Sequence, residues 1–201
     1  MKNTYLKISV LISFMMALSS PLLAASDRIN GYIIQDGSNY AIKDNNYNMV
    51  FHLNFTQEIA QKQIERLKTG DFASVTAKLD LNTATASVDS VDYVGLSTLL
   101  GTWKGNDNLC YDFSGFTSLY TYRPNNSGRC YKQYLYISKK PSRLRKYTYF
   151  INPDIAVWNL LFSSSADKYF GELEILDGNA VRIQLFNDQT NATLRTIVLR
   201  R

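Results

Sequence analysis

Apolar and polar residues alternate with a period of two over most of this chain, the pattern of strands with one buried face. Ile29–Gln35 and Tyr40–Lys43 are short runs of this kind, separated by the turn Asp36-Gly37-Ser38-Asn39. After Asp44-Asn45-Asn46, the run Asn48–Phe55 sets Met49, Phe51, Leu53 and Phe55 on one face and Val50, His52 and Asn54 on the other. The period then changes. Ala60, Ile64 and Leu67 recur at helical spacing, which predicts a helix over 57–68 with Thr56 as N-cap and a Glu58–Lys62 i,i+4 pair. Gly70 stops it. Two alternating runs follow, Phe72–Leu81 and Ala84–Val94. Past a junction at 95–100, the strand-like segments are 109–114, 117–123, 129–138, 144–151, 155–163, 168–176, 179–186 and 193–200. Turn signals such as Asn152-Pro153-Asp154 and Asp177-Gly178-Asn179 separate most of them.

Three strands, a helix and two strands is the element order of the five-stranded OB barrel. The segments INGYIIQDGSNYAIKD and LKTGDFASVTAKLD, the second with a Gly70-Asp71 turn feeding the fourth strand, resemble exported bacterial OB-type domains. The second half opens on Gly101-x-Trp103. With Arg195 or Arg200 on the last strand to cover the indole, it resembles the lipocalin-type barrel. The expected fold is therefore mostly β: an OB-like barrel with one helix at 25–96, then an antiparallel lipocalin-like barrel or curved meander at 97–201.

Residues 1–24 carry a different signal. Lys2 and Lys7 precede an apolar run at 8–18 that is too short to span a bilayer, Ser19-Ser20-Pro21 break it, and Ala24-Ala25 offer small residues for cleavage. This is the layout of a secretory signal peptide. No Cys follows the cleavage point, so the lipoprotein pattern is missing. The expectation is a soluble mature chain with no transmembrane segment, exported to a bacterial periplasm, an outer-membrane-associated position or the cell exterior.

Charge divides the mature chain. Residues 25–99 carry six basic and nine acidic side chains, and 100–201 carry fourteen and eight. The acidic OB-like half lacks the basic, aromatic-lined groove that single-stranded nucleic acid requires, so nucleic acid is not the expected partner. Cys110 and Cys130 are the only cysteines. In an exported protein such a pair reads as a disulfide; two free thiols or metal ligands are the rival reading.

Candidate chemistry is sparse. His52 is the only histidine and sits in an alternating strand. Glu172 with Glu174 and Asp89 with Asp92 have no feature of an acid–base couple, and phosphate-loop, HExxH and GxSxG motifs are missing. No catalytic residue, metal or cofactor is expected. The distinctive segment is 129–151, read as a hairpin whose tip, Lys139 to Lys146, holds Lys139, Lys140, Arg143, Arg145 and Lys146. Alternation puts Lys132, Tyr134 and Tyr136 on one face, and Arg145, Tyr147 and Tyr149 on another. Tyr and Arg are enriched in protein interfaces, so these ten residues are candidates for contact with another envelope protein or with an anionic lipid or glycan. A solvated basic loop on a Tyr-filled barrel is the plainer alternative. The expected function is a non-enzymatic binding or scaffolding subunit of the envelope, such as an accessory part of a secretion-type assembly. The alternatives are a carrier of a small hydrophobic or anionic ligand in the C-terminal barrel and a hydrolase of envelope polymers.

Overall fold

A computed structural model describes residues 26–130, 144–154, 156–165, 168–187 and 189–201. The segment 1–24, read above as a signal peptide, and the candidates Lys132, Tyr134, Tyr136, Lys139, Lys140 and Arg143 lie outside the described residues.

The first half closes a five-stranded barrel. Its strands are β1 (Asp27–Asp36), β2 (Asn39–Asp44), β3 (Val50–Phe55), β4 (Phe72–Asp80) and β5 (Thr85–Gly95). β1 pairs with β2 and β4, β2 with β3, and β4 with β5, all antiparallel; β3 pairs in parallel with β5 and shuts the cylinder. That parallel contact is possible because helix α1 (Glu58–Glu65) bridges β3 to β4. With the helix in this place, the circuit is that of an OB barrel. β1 serves both neighbours at Gly31, which faces Asp44 on one side and Ala73 on the other. A Cβ at Gly31 would lie 2.0 Å from the Lys43 carbonyl oxygen, so only glycine admits this close approach.

The helix is shorter than its periodicity implied. Thr56 does not cap it: its hydroxyl donates to the Val88 carbonyl and to Asp89 instead. Gln57 occupies the N-cap position without a side-chain bond. At the other end the Leu67 N–H turns back to Ile64 O, and the Lys68 N–H is captured by the Asp71 carboxylate at 3.0 Å. Ala60, Ile64 and Leu67 are buried as the pattern required, and Glu58 pairs with Lys62 at 2.6 Å.

The second half closes an eight-stranded antiparallel barrel from β6 (Gly101–Gly105), β7 (Cys110–Gly115), β8 (Ser118–Tyr122), β9 (Arg145–Pro153), β10 (Trp158–Ser163), β11 (Lys168–Asp177), β12 (Ala180–Phe186) and β13 (Thr193–Arg200). Each strand pairs with its neighbour in sequence, and β13 returns to β6 at Leu199↔Gly105 and Arg200↔Lys104. This up-and-down closure leaves no free sheet edge. β9 takes β8 as a partner over 145–148, and the 129–138 arm of the expected hairpin lies outside the described residues apart from Arg129 and Cys130. Arg129 and Cys130 are not in a strand.

Both barrels share one sheet and one hydrophobic core. The end of β5 joins β9 at Val94↔Ile151. Beside this contact, aromatic rings run from one barrel to the other. Tyr32 meets Phe72 edge-on, Phe72 stacks on Phe116 at 5.5 Å and on Tyr93 at 6.0 Å, and Tyr93 meets Phe150 edge-on at 5.5 Å. Gly95 makes room for this: a Cβ there would lie 2.4 Å from the Phe116 ring. On the other side of the junction, the Arg66 guanidinium lies 3.7 Å above the Trp158 ring and donates to the Asp154 and Val157 carbonyls. Gln63 donates to Pro153 O at 2.6 Å.

Cys110 and Cys130 form a disulfide. Cys110 is fully buried beside Tyr122, with Leu144 packed against them, so the bridge anchors chain leaving β8 to the start of β7. It closes a separation of 20 residues, for which loop entropy predicts about 3 kcal/mol. Cys110→Ser should lower the melting temperature by several degrees, and reductant should do the same to the unsubstituted protein. Superimposable melting curves with and without reductant would show that the bridge contributes nothing.

Candidate functional site

The described members of the basic/tyrosine set divide by strand alternation. Arg145 and Lys146 are exposed at the start of β9. Lys146 has the outward phase, whereas Tyr147 and Tyr149 share the phase of Arg145 and point into the barrel: Tyr149 is fully buried against Phe113 and Phe162 and donates its hydroxyl to Gly115 O at 2.9 Å. Burial pushes its phenol well above the ordinary tyrosine range. The two rings are part of the barrel's filling, and a partner on the outer surface does not touch them. The cause is the phase of β9. Thr148, Phe150 and Asn152 take the outward positions, and Tyr147, Tyr149 and Ile151 the inward ones.

Inside, the barrel is packed at one end and open at the other. Trp103 is fully buried, and Trp158 and Phe162 nearly so. The open mouth holds about 420 Å³ between Tyr111, Leu119, Tyr147, Phe162, Leu185 and Ile197, with Arg145 and Arg195 at its rim. Arg195 is ion-paired with Asp107, whose carboxylate also accepts the Tyr111 hydroxyl at 2.6 Å. Burial, then this hydrogen bond to a carboxylate, raises the Tyr111 phenol far above its usual range. Arg195 thus secures the mouth and does not cover Trp103. The cation over that indole is Arg201, 4.3 Å from the ring.

A second space, a groove of about 810 Å³, lies outside the barrel wall. Its floor follows from strand register. Phe150 on β9, Leu161 on β10, Phe170 on β11 and Phe186 on β12 are cross-strand partners in sequence. Two residues further along, Asn152, Asn159, Glu172 and Gln184 are partners in the same way; the first three line the groove, and Gln184 lies beyond it, its amide donating to Thr193. All eight are on the outward face. An apolar row, mostly aromatic, therefore runs beside a row of amides and a carboxylate, each crossing four strands. Phe150 and Phe170 remain 37 % and 41 % exposed, high for rings on a closed barrel's outer wall. Asp92 and Tyr93 of β5 form the groove's far bank, so the first barrel helps to enclose it. Asp92 is ion-paired with Arg28 at 2.8 Å, and burial raises the Tyr93 phenol.

None of these groove residues stood out as a site in the sequence, although Glu172 and Asp92 were weighed as parts of carboxylate pairs. A signal was present: Leu160-Leu161-Phe162 and Tyr169-Phe170 break the alternation, which marks strands that are apolar on both faces. Aligning those outward residues into rows requires the register. Among the described residues, no group of three His, Cys, Asp or Glu side chains is placed to hold a metal ion, and no helix is long and apolar enough to cross a membrane. Comparison with protein-family models, curated proteins and solved structures finds no match for the chain.

Proposed function

We propose that the chain is an exported, non-enzymatic binding protein of the bacterial envelope, built as a rigid double barrel that presents the outer groove to its ligand. The observation that carries this reading is the pair of aligned rows on β9–β12, a solvent-facing surface far more apolar than a closed barrel's outer wall needs. Three contacts make the frame stiff: the shared core, the aromatic bridge through Phe116, and Arg66 locked over Trp158. The export assignment rests on the pattern of residues 1–24 and is supported by the disulfide, which persists in oxidising compartments. A carrier role for the barrel mouth is the second reading, favoured by its 420 Å³ cavity with two arginines at the rim. Against it, the packed end leaves only part of the interior open.

Site-specific photo-crosslinking in intact cells tests the proposal. A benzophenone side chain at Phe170 should give adducts with envelope material that the same group at exposed Lys78, on the first barrel, does not give. Equal labelling from both positions, or none from either, would remove the groove as the binding surface.

A further inference from the structure

We propose that the groove on β9–β12 takes an uncharged saccharide chain; this deepens the reading of that groove as the binding site and depends on it. The inference starts from what the two rows offer. Adjacent strands lie about 4.8 Å apart, and residues two apart on one strand are separated by about 7 Å. The Phe150–Leu161–Phe170–Phe186 row thus forms a ribbon of apolar surface with the Asn152–Asn159–Glu172–Gln184 row running parallel at sugar-ring scale. A pyranose has the matching form. Its axial C–H groups make an apolar face that packs on aromatic rings, whose faces carry partial negative charge. Around its edge, neighbouring hydroxyls are each donor and acceptor, as are amide side chains, while a carboxylate accepts from two at once.

Charge narrows the occupant. Among the described residues, the groove lining contains Asp92 and Glu172 and no lysine or arginine. Phosphates, sulfated chains and acidic lipid headgroups gain nothing there and meet two carboxylates. The Asp92 charge is balanced by Arg28, and Ser74 and Thr76 donate to it from β4, so this bank of the groove is close to neutral. Arg182, ion-paired with Glu174, borders the polar row at Gln184, and beside the apolar row the Lys168 ammonium lies 5.2 Å from the centre of the Phe170 ring. The Lys168 contact shows that this ring face is open to a polar group from solvent.

Topology removes a second class of ligand. An extended peptide gains most of its affinity by adding to a free strand edge. β9, β10, β11 and β12 are each paired on both sides. A ligand of the groove must be recognised through side chains alone, which suits a saccharide. The volume of about 810 Å³ is in the range of sites for ligands of several rings. The turn Asn187–Ala192 borders the groove at β12. There the Asn187 carbonyl and side-chain oxygens hold the turn by accepting from Asn191, Gln189 and Thr190, so Asn187 shapes the rim while Asn152 and Asn159 face the ligand.

The test uses the purified mature protein on an array of neutral, amino and acidic oligosaccharides. Titration calorimetry follows with the tetramer of β-1,4-linked N-acetylglucosamine, the tetramer of β-1,4-linked glucose and any neutral array hit. At least one neutral saccharide should bind with an affinity that is insensitive to salt. Phe170→Ala and Asn159→Ala should each weaken it by about tenfold or more, with unchanged melting curves because both residues are on the outer wall. Lys78→Ser, at an exposed position on the first barrel, should leave it unchanged. Absence of neutral binders, binding confined to acidic chains and lost in salt, or binding indifferent to both groove variants would overturn the saccharide assignment. If Phe170 crosslinks only to protein while the array is blank, the ligand class is wrong and the binding reading stands. Release of new reducing ends from a bound tetramer would keep the saccharide and overturn the non-enzymatic reading.

Discussion

Trp103→Ala should be the most damaging single change in the second barrel, with an expected loss of about 3–5 kcal/mol from the lost burial together with the cavity it leaves. The indole is fully buried at the packed end of the barrel. Its Nε1–H donates to the Leu99 carbonyl at 2.7 Å, which ties the short 3₁₀ turn Ser97–Leu99 to β6. From the other side the Arg201 guanidinium lies over the ring and donates to the carbonyls of Thr98 and Leu100, at 2.9 and 2.7 Å. Alanine would empty the cavity, leave Leu99 O without its donor and remove the surface on which Arg201 rests. Against a typical total stability of about 5–15 kcal/mol, such a loss leaves the barrel marginal. Trp103→Phe retains most of the volume and should cost about 1–3 kcal/mol, the share of the lost hydrogen bond and the smaller ring. Denaturant unfolding followed by circular dichroism checks both, and Trp158 remains as the sole indole reporter. An unfolding midpoint for Trp103→Ala within error of the unsubstituted chain would show that the packed end does not depend on this residue.

The strands were legible because a period of two survives on nearly every one: β3 buries Phe51 and Leu53 and exposes His52 and Asn54, as its alternation demands. Closure was partly legible as well, since the helix between the third and fourth strands implies the parallel β3–β5 contact. What failed depended on distant partners. Thr56 has the chemistry of an N-cap, yet its hydroxyl is taken by Val88 and Asp89, brought beside it by the parallel pairing. Arg195 and Arg200 stood where a barrel's Trp-covering cation is expected, but Asp107 holds Arg195, and the terminal Arg201 reaches Trp103. Tyr147 and Tyr149 were grouped with Arg145, a grouping alternation alone supports. The group's direction, inward or outward, follows from which neighbours β9 acquires. The groove is the extreme case. Each of its rows draws one residue from each of four strands between 150 and 186, and no local pattern records that they line up.

Asp71→Ala should cost about as much as the loss of Trp103, by a different route. Asp71 is almost completely buried, at the turn after Gly70 that feeds β4. One carboxylate oxygen accepts the Lys68 N–H at 3.0 Å; the other accepts both the N–H and the hydroxyl of Ser97, each at 2.7 Å. Its own carbonyl accepts the Ile33 N–H at 2.7 Å. The side chain therefore ends the helical segment and fixes the junction between the barrels, while the backbone carbonyl holds the turn against β1. Hydrogen bonds to a charged acceptor are worth about 1.5–3 kcal/mol each, and removing the acceptor strands buried donors. Three such bonds, less what water recovers, give an expected loss of about 3–5 kcal/mol. Asp71→Asn is the more telling variant because it preserves volume. Its amide can accept through one oxygen only, and its NH2 group would face either the Lys68 or the Ser97 donors. The loss should therefore stay large, above about 2 kcal/mol, where a purely steric role would make it small. Hydrogen exchange localises the effect: the Ser97 and Lys68 amides should lose protection first, ahead of the β11–β12 amides. Uniform loss of protection across both barrels would mean that Asp71 supports global stability without fixing the junction. Unchanged exchange at Ser97 would show that the 3₁₀ turn is held by Trp103 and Arg201 alone.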